Sequence, residues 1–153
     1  MSDLLGLSNL YIDDILKQAC KEYLGIFSCD NIPPSLKDRQ GSIVVNLSPS
    51  RSLGTHFITI LLLPRKVLYI DSLGEKCETA EILQFLTLTD RPIFYQSEPM
   101  QKAQSSYCGF YCMLVVTQYE LSGQWTNPFT TKNNDNDVLC IYLLCHNLQK
   151  LKK

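Results

Sequence analysis

Apolar and polar positions alternate with two different periods along this 153-residue chain. Near the N-terminus the apolar side chains recur every three or four positions, which is the spacing of one face of an α-helix. Asn9 stands where such a helix could be capped, and Asp13 and Asp14 would lie near its positive end. The apolar positions that predict this helix are Leu10, Ile12, Ile15, Leu16, Ala19, Tyr23 and Leu24.

The middle of the chain has a different pattern, with turn formers separating short apolar runs. Residues 25–41, which include Pro33-Pro34, predict a connecting segment. Continuous apolar runs predict buried strands, and longer runs predict helices. We expect strands over 42–47, 56–63, 67–71 and 92–95, and helices over 79–86, 108–121 and 138–148. Helices at both ends and a small mixed or antiparallel central sheet between them predict an α+β fold.

Length, composition and charge limit the classes of protein to which this chain can belong. A chain of 153 residues is expected to form one domain, residues 1–153, and 45% hydrophobic with 19% charged residues is typical of a globular protein. No apolar run approaches the ~20 residues that span a bilayer, so we expect no membrane partner. The chain begins without a secretion signal, so we expect an unsecreted protein whose seven cysteines are free thiols. A net charge of −1 gives no electrostatic argument for nucleic acid.

The most informative stretch is the polar run 101–107 and the Cys108-Gly109 pair that follows it. This pair opens the predicted apolar helix, whose first backbone N–H groups and positive dipole end favour thiolate over thiol. The glycine lowers helix propensity by about 1 kcal/mol relative to alanine. A glycine there suits a backbone that must approach a ligand closely. Cys108 is therefore a candidate nucleophile, although most free cysteines in helices are buried as small hydrophobic residues.

His56 and Asp71 are candidate partners of this thiol. His56 begins one predicted strand and Asp71 ends the next, with Pro64 between the two strands. A hairpin turn centred near Pro64 places the two residues opposite each other to within about one position, or roughly 3 Å along the strand. Asp71 could then orient His56, which could take the proton of Cys108. The alternatives are a core histidine and an aspartate that only ends a strand in a turn.

Two further candidate sites have weaker support. Cys108, Cys112, Cys140, Cys145 and His146 lack the short Cys-x2-Cys spacing of structural zinc sites, so no metal is expected. His146, on the last predicted helix, is interpreted as an ordinary helix residue. Cys112 should lie one turn deeper than Cys108 in the same helix.

These motifs together resemble the adenovirus-type (adenain-like) cysteine endopeptidases, of the clan that includes the SUMO and ubiquitin-like-protein proteases. The matching positions are Gly-Thr-His56-Phe, Tyr-Ile-Asp71-Ser-Leu-Gly, and Gln101 seven residues before Cys108-Gly109, with Ser105 in between. Their order, His-Asp-Gln-Cys, is the family's order and a circular permutation of that in papain. The resemblance extends over roughly residues 7–122 and includes the segment 25–33. It implies a papain-like arrangement of the site.

The resemblance also implies an activity and its participants. Cys108, His56 and Asp71 would form a catalytic triad, and Gln101 would hold the oxyanion with the Cys108 backbone N–H. Gln104 is closer to the cysteine, but the family's spacing favours Gln101. Substrates would be viral capsid or core precursors cut at small-residue, Gly-Gly-like sites, with segments 25–32 and 51–55 as candidate walls of a narrow slot. The expected location is the virion and the host nucleus or cytoplasm, and we expect a monomer.

Two positions depart from the family's pattern. Phe57 replaces the usual Trp after the histidine, which keeps an aromatic wall, and the acid is Asp, as in the SUMO-protease branch, where mammalian adenovirus enzymes have Glu. Some family members need an activating peptide held by a disulfide, and DNA. This chain has no cysteine between Glu78 and Tyr107, where that disulfide would form, so no cofactor is required from the sequence. The alternatives are a protease acting on host ubiquitin-like conjugates and an inactive protein-interaction module.

Overall fold

The computed structural model describes residues 9–48, 56–102, 106–129 and 136–152. Within these ranges the chain forms four α-helices, five strands and a short 3₁₀ helix, Pro34–Asp38. The helices are α1 (Asn9–Ala19), α2 (Ala80–Leu88), α3 (Cys108–Ser122) and α4 (Asn136–Leu151). The strands are β1 (Tyr23–Ser28), β2 (Gly41–Asn46), β3 (Phe57–Leu62), β4 (Val67–Ile70) and β5 (Ile93–Tyr95).

The five strands form one mixed sheet in the order β1-β2-β3-β4-β5. The two outer pairs, β1 with β2 and β4 with β5, are parallel, and the inner pairs are antiparallel. Helices cover both faces of the sheet. The predicted α+β class with a mixed central sheet flanked by helices is confirmed.

The predicted hairpin is present as β3 and β4. Thr59 pairs with Ile70 and Leu62 pairs with Val67. The turn residues Pro64 and Arg65 follow Leu63. This register agrees with the turn centre near residues 64 and 65 that the sequence predicts. It brings the start of β3 and the end of β4 to the same edge of the sheet.

The sheet is buried on both faces, which explains why its strands are nearly continuous apolar runs rather than alternating ones. Along β3, Ile58, Ile60 and Leu62 face a core built with α2. Phe57 and Leu61 point to the opposite face, where α1, α3 and α4 pack. Every residue of β2 and β3 is buried.

Helix α3 is the central helix of the second face. It contacts β2 and β3 on one side and α1 and α4 on others, and ten of its fifteen residues are buried. A helix covered on several sides has no polar face, so its apolar residues do not form a single stripe. Within the described ranges no helix has the length and hydrophobicity to cross a bilayer.

The sequence-based prediction was wrong near the N-terminus. The first helix ends at Ala19, and Tyr23 and Leu24 begin the edge strand β1 inside what was expected to be helix and connecting segment. Ile12 and Leu16 are fully buried, whereas Leu10, which has the same helical spacing, is 82% exposed. The error has a physical cause, because β1 exists through its pairing with β2, and that partner lies some twenty residues further along the chain.

Gly41 allows this pairing to begin. Its φ is +148°, and a Cβ built on it would lie 2.3 Å from the backbone oxygen of Glu22. The next residue, Ser42, donates its backbone N–H to that same oxygen at 2.9 Å. The absence of a side chain at Gly41 therefore lets β1 and β2 approach each other.

We expect Gly41→Ala to destabilise the protein more than Gly123→Ala. Gly123, at the end of α3, also has a positive φ of +74°, but a Cβ there would meet nothing within 4 Å. The control variant should lose about 1 kcal/mol of stability, because alanine is strained in this backbone conformation. At Gly41 the clash with fixed backbone adds to strain, and we expect at least ~2 kcal/mol more. Urea unfolding of both variants measures the difference, and equal losses would contradict this account of Gly41.

Candidate active site

Cys108 is the first residue of α3 and is 7% exposed. It lies at the positive end of a fifteen-residue helix, where backbone N–H groups of the first turn point out of the helix. Gly109 follows it and is also buried. One turn further, Cys112 lies deeper in the core, as predicted.

His56 and Asp71 are directly hydrogen bonded. His56 immediately precedes β3 and Asp71 immediately follows β4, and the distance from His56 Nε2 to Asp71 Oδ1 is 2.8 Å. The Asp71 side chain is 3% exposed and that of His56 is 17% exposed. The contact predicted from the hairpin is therefore present.

The side chain of Cys108 lies close enough to His56 to help hold the proton on its ring. Since Nε2 bonds to Asp71, Nδ1 is the ring nitrogen that remains for the sulfur. Burial by itself lowers the pKa of His56, because an imidazolium loses hydration. The hydrogen bonds and negative charges of Asp71 and Cys108 outweigh that effect and raise the pKa of His56 to about 10. The ring therefore favours its protonated, cationic form at neutral pH.

Asp71 also organises a turn. Its Oδ1 accepts the backbone N–H of Leu73 at 2.8 Å, and its backbone oxygen accepts that of Gly74 at 2.8 Å. The two interpretations of Asp71, turn former and partner of His56, therefore hold together. Oδ1 thus accepts two N–H groups, from His56 and from Leu73, and these bonds hold the buried side chain in a single orientation.

Gln101 joins the site through Ser72, a residue that the sequence reasoning missed. Gln101 is 6% exposed, and its Oε1 accepts a hydrogen bond from the Ser72 hydroxyl. Ser72 directly follows Asp71, so both polar groups belong to one turn. The only sequence signal for Ser72 was a hydroxyl residue next to the candidate acid. Gln104, Ser105 and the candidate wall 51–55 lie outside the described residues.

The other cysteines differ from Cys108 in their surroundings. Burial raises the pKa of the Cys20 thiol to about 12, and it raises the pKa values of Cys112 and Cys140 strongly. A thiol with a raised pKa is a poor nucleophile at neutral pH. Cys145 and its neighbour His146 are exposed on α4. Among the described residues, no three His, Cys, Asp or Glu side chains are close enough to hold a metal ion.

The chemistry available at this site is nucleophilic. A sulfur at a helix N-terminus lies against an imidazole, and a buried carboxylate orients that imidazole from its other nitrogen. This arrangement can attack a carbonyl and return a proton to a leaving group. The structure brings together His56, Asp71 and Cys108, and it attaches Gln101 to the turn that carries Asp71.

Comparison with known proteins supports the architecture. No protein-family model matches the sequence, and no curated protein matches it. Two crystal structures of the ASFV pS273R protease are similar to the chain, each with a TM-score of 0.57, at 15% and 14% identity. The first similarity covers 96% of this chain and 68% of the protease chain, and the second covers 90% and 66%. The central domain of the uncharacterized Lpg1148 protein from Legionella pneumophila has a TM-score of 0.50 at 13% identity, covering 91% of this chain and 95% of that domain. The chain therefore shares the fold of these proteins.

We expect the protonated His56 ring to stabilise the fold at neutral pH and to lose that effect in alkali. Its pKa rises from 6.5 to about 10 on folding, so the folded state binds the proton more tightly than the unfolded state does. The stabilisation is complete below about pH 6.5, declines as pH rises, and is gone above about pH 10. One pKa unit is about 1.4 kcal/mol, so the decline is on the order of a few kcal/mol.

Urea unfolding of the wild type and of His56→Gln between about pH 6 and about pH 10.5 measures this effect. Other groups titrate in both proteins, so the difference in free energy of unfolding isolates His56. Asp71→Asn should make the decline smaller, because it removes a negative charge beside the ring. A difference that does not vary with pH would contradict the assignment.

Proposed function

We propose that this protein is a cysteine peptidase. The single observation that supports the proposal most is the continuous contact from Asp71 through His56 to Cys108, with the sulfur at the start of a buried helix. The shared fold with a protease is consistent with it. All four candidate positions carry the side chain that the reaction needs, which argues against an inactive interaction module.

The proposed reaction proceeds in two halves. The Cys108 sulfur attacks the carbonyl carbon of the scissile peptide, and a C–S bond forms while the carbonyl oxygen becomes an oxyanion. The side-chain amide of Gln101 and the Cys108 backbone N–H stabilise that oxyanion, and loss of one such donor typically costs ~3–4 kcal/mol. His56 gives its proton to the leaving amine, and the C–N bond breaks.

Hydrolysis of the acyl-enzyme completes the cycle. A water molecule gives a proton to His56 and attacks the thioester carbonyl. The tetrahedral intermediate collapses, the C–S bond breaks, and the thiolate is restored beside a protonated ring. Asp71 keeps the imidazole in one orientation through both halves, so the same nitrogen faces the sulfur each time.

The proposed substrates are polypeptides cut at Gly-Gly-like sites. We propose viral capsid or core precursors as the natural substrates, with processing in the virion or in the host nucleus or cytoplasm. The support is the family resemblance of the four site motifs. The support for a slot wall in segment 25–32 is that Ser28, at the end of β1, pairs with Asn46, which in turn pairs with Phe57 beside His56.

A second candidate function is the removal of ubiquitin-like modifiers from host proteins. The observation that favours it is the identity of the acid, since Asp71 matches the SUMO-protease branch of the clan. Both candidates use the same chemistry at Cys108 and differ only in how the substrate is recognised.

We expect an electrophilic Gly-Gly peptide, such as a vinyl sulfone, to label Cys108 alone. The reason is that Cys108 contacts an imidazole, whereas Cys20, Cys112 and Cys140 are buried with raised pKa values. Peptide mass spectrometry locates the adduct. His56→Ala should slow labelling by roughly 100-fold, since the imidazole that stabilises the attacking thiolate is lost.

Two variants serve as controls for this labelling. Cys145→Ser removes an exposed thiol outside the site and should change nothing. Cys108→Ala should abolish both labelling and hydrolysis. Labelling that follows Cys145, or hydrolysis that survives Cys108→Ala, would refute the peptidase proposal.

We expect an internal Gly-Gly peptide to be cleaved with a kcat/KM within ~10-fold of that for a fluorogenic ubiquitin-like C-terminal probe. A folded modifier adds contacts outside the Gly-Gly segment, and each tenfold preference reports about 1.4 kcal/mol of such recognition. Steady-state kinetics with both substrates measure the ratio. A preference for the folded modifier of 100-fold or more would favour the second candidate function.

A further inference from the structure

The segment that carries Gln101 is fastened to the turn that carries Asp71. The backbone oxygen of Ser72 accepts two N–H groups from this segment, that of Met100 at 2.7 Å and that of Gln101 at 3.0 Å. Earlier in the segment, Gln96 donates its backbone N–H to Tyr69 in β4 at 3.1 Å. Met100 and Gln101 are thereby held next to the residue that follows Asp71, although they are distant from it in the sequence.

Close packing reinforces these hydrogen bonds. Gly74 closes the Asp71 turn with a φ of +78°, and a Cβ on it would lie 2.9 Å from the nitrogen of Pro99 and 3.0 Å from the oxygen of Ser97. Backbone meets backbone here, so neither chain segment can shift without moving the other. The turn and the Gln101 segment are therefore packed backbone against backbone as well as hydrogen bonded.

The side chains of Ser72 and Gln101 add a third link. Ser72 is 3% exposed and Gln101 is 6% exposed, and the Ser72 hydroxyl donates to Gln101 Oε1. The two ends of a glutamine amide have opposite hydrogen-bonding character, since Oε1 accepts and Nε2 donates. A hydroxyl that donates to Oε1 selects one of the two flipped orientations of the amide. The N–H-bearing end then points away from Ser72.

We propose that Ser72 is a positioning residue that sets the orientation in which Gln101 presents its N–H donors to the oxyanion. This inference rests on the proposed peptidase function. Ser72 acts through Gln101 and touches no reacting atom. The Asp71-Ser72 pair thereby couples two tasks in adjacent residues, since one orients the imidazole and the other orients the oxyanion donor.

A double-mutant cycle tests this role with a fluorogenic Gly-Gly peptide. Loss of an oxyanion donor typically lowers kcat by about 10²–10³-fold, which is the expectation for Gln101→Ala. We expect Ser72→Ala to lower kcat by roughly 10-fold or more, with a smaller change in KM, because the donor is misaligned rather than lost. In the Gln101→Ala background, Ser72→Ala should cost less than about twofold, since there is no amide left to orient.

Alkylation by iodoacetamide separates positioning from damage to the triad. That reaction is a displacement at a saturated carbon and forms no oxyanion, so it depends on the triad of Cys108, His56 and Asp71 and not on an oxyanion donor. We expect Ser72→Ala to alkylate Cys108 at the wild-type rate while its hydrolysis is slowed. Ser72→Thr, which keeps the hydroxyl, should recover most of the hydrolysis if the added methyl group is accommodated, as its melting temperature would show.

Ser42→Ala is the matched control. Ser42 is a buried serine in β2, 1% exposed, whose hydroxyl has no hydrogen-bond partner among the described residues. It should hydrolyse the peptide like the wild type. Gln101→Glu keeps an oxygen for Ser72 but removes the N–H donors, and it should be as slow as Gln101→Ala.

Each outcome decides a separate question. If the wild type is active and Ser72→Ala stays within twofold of it, or costs as much in the Gln101→Ala background as alone, Ser72 is not a positioning residue. If alkylation of Cys108 slows in parallel with hydrolysis, the role of Ser72 is structural and the inference also falls. A wild-type protein that neither hydrolyses the peptide nor reacts at Cys108 removes the proposed function itself.

Discussion

The partly buried hydrogen bond between His56 and Asp71 is the interaction on which the rest of the site depends. Removing a carboxylate and an imidazolium from water is costly, and each is tolerated because the other is 2.8 Å away. The Leu73 N–H supplies a further bond to the same oxygen. With Cys108 on the other side of the ring, these charges hold the proton on His56 far above its ordinary range, up to a pKa of about 10.

The sheet and helix α3 place these groups, and both are parts of the hydrophobic core. His56 lies one residue before β3 and Asp71 one residue after β4. The hydrogen bonds between these paired strands fix the backbone next to both residues. Cys108 begins a helix that is buried against the same strands. Site geometry and core packing are therefore set by the same contacts, so a mutation in the middle of β3 or α3 would disturb both.

The similarity to the ASFV pS273R protease, at 15% identity over 96% of this chain, shows that the architecture tolerates wide sequence divergence. Cores accept many combinations of apolar residues if volume and pattern are kept. Polar turns are less tolerant, because each buried donor and acceptor needs its partner. In this chain the Asp71–Gly74 turn is such a place, since Ser72 and Gly74 both hold the segment before Gln101.

The sequence by itself determined the features that depend on local pattern. The β3–β4 hairpin, the helix that begins at Cys108, and the pairing of His56 with Asp71 all follow from short-range spacing and turn chemistry. Only the tertiary structure decided what depends on distant partners. Strand β1 forms because β2 pairs with it, and Ser72 meets Gln101 because the chain returns to the Asp71 turn twenty-nine residues later. Local residues carry no signal of a partner that only folding brings near.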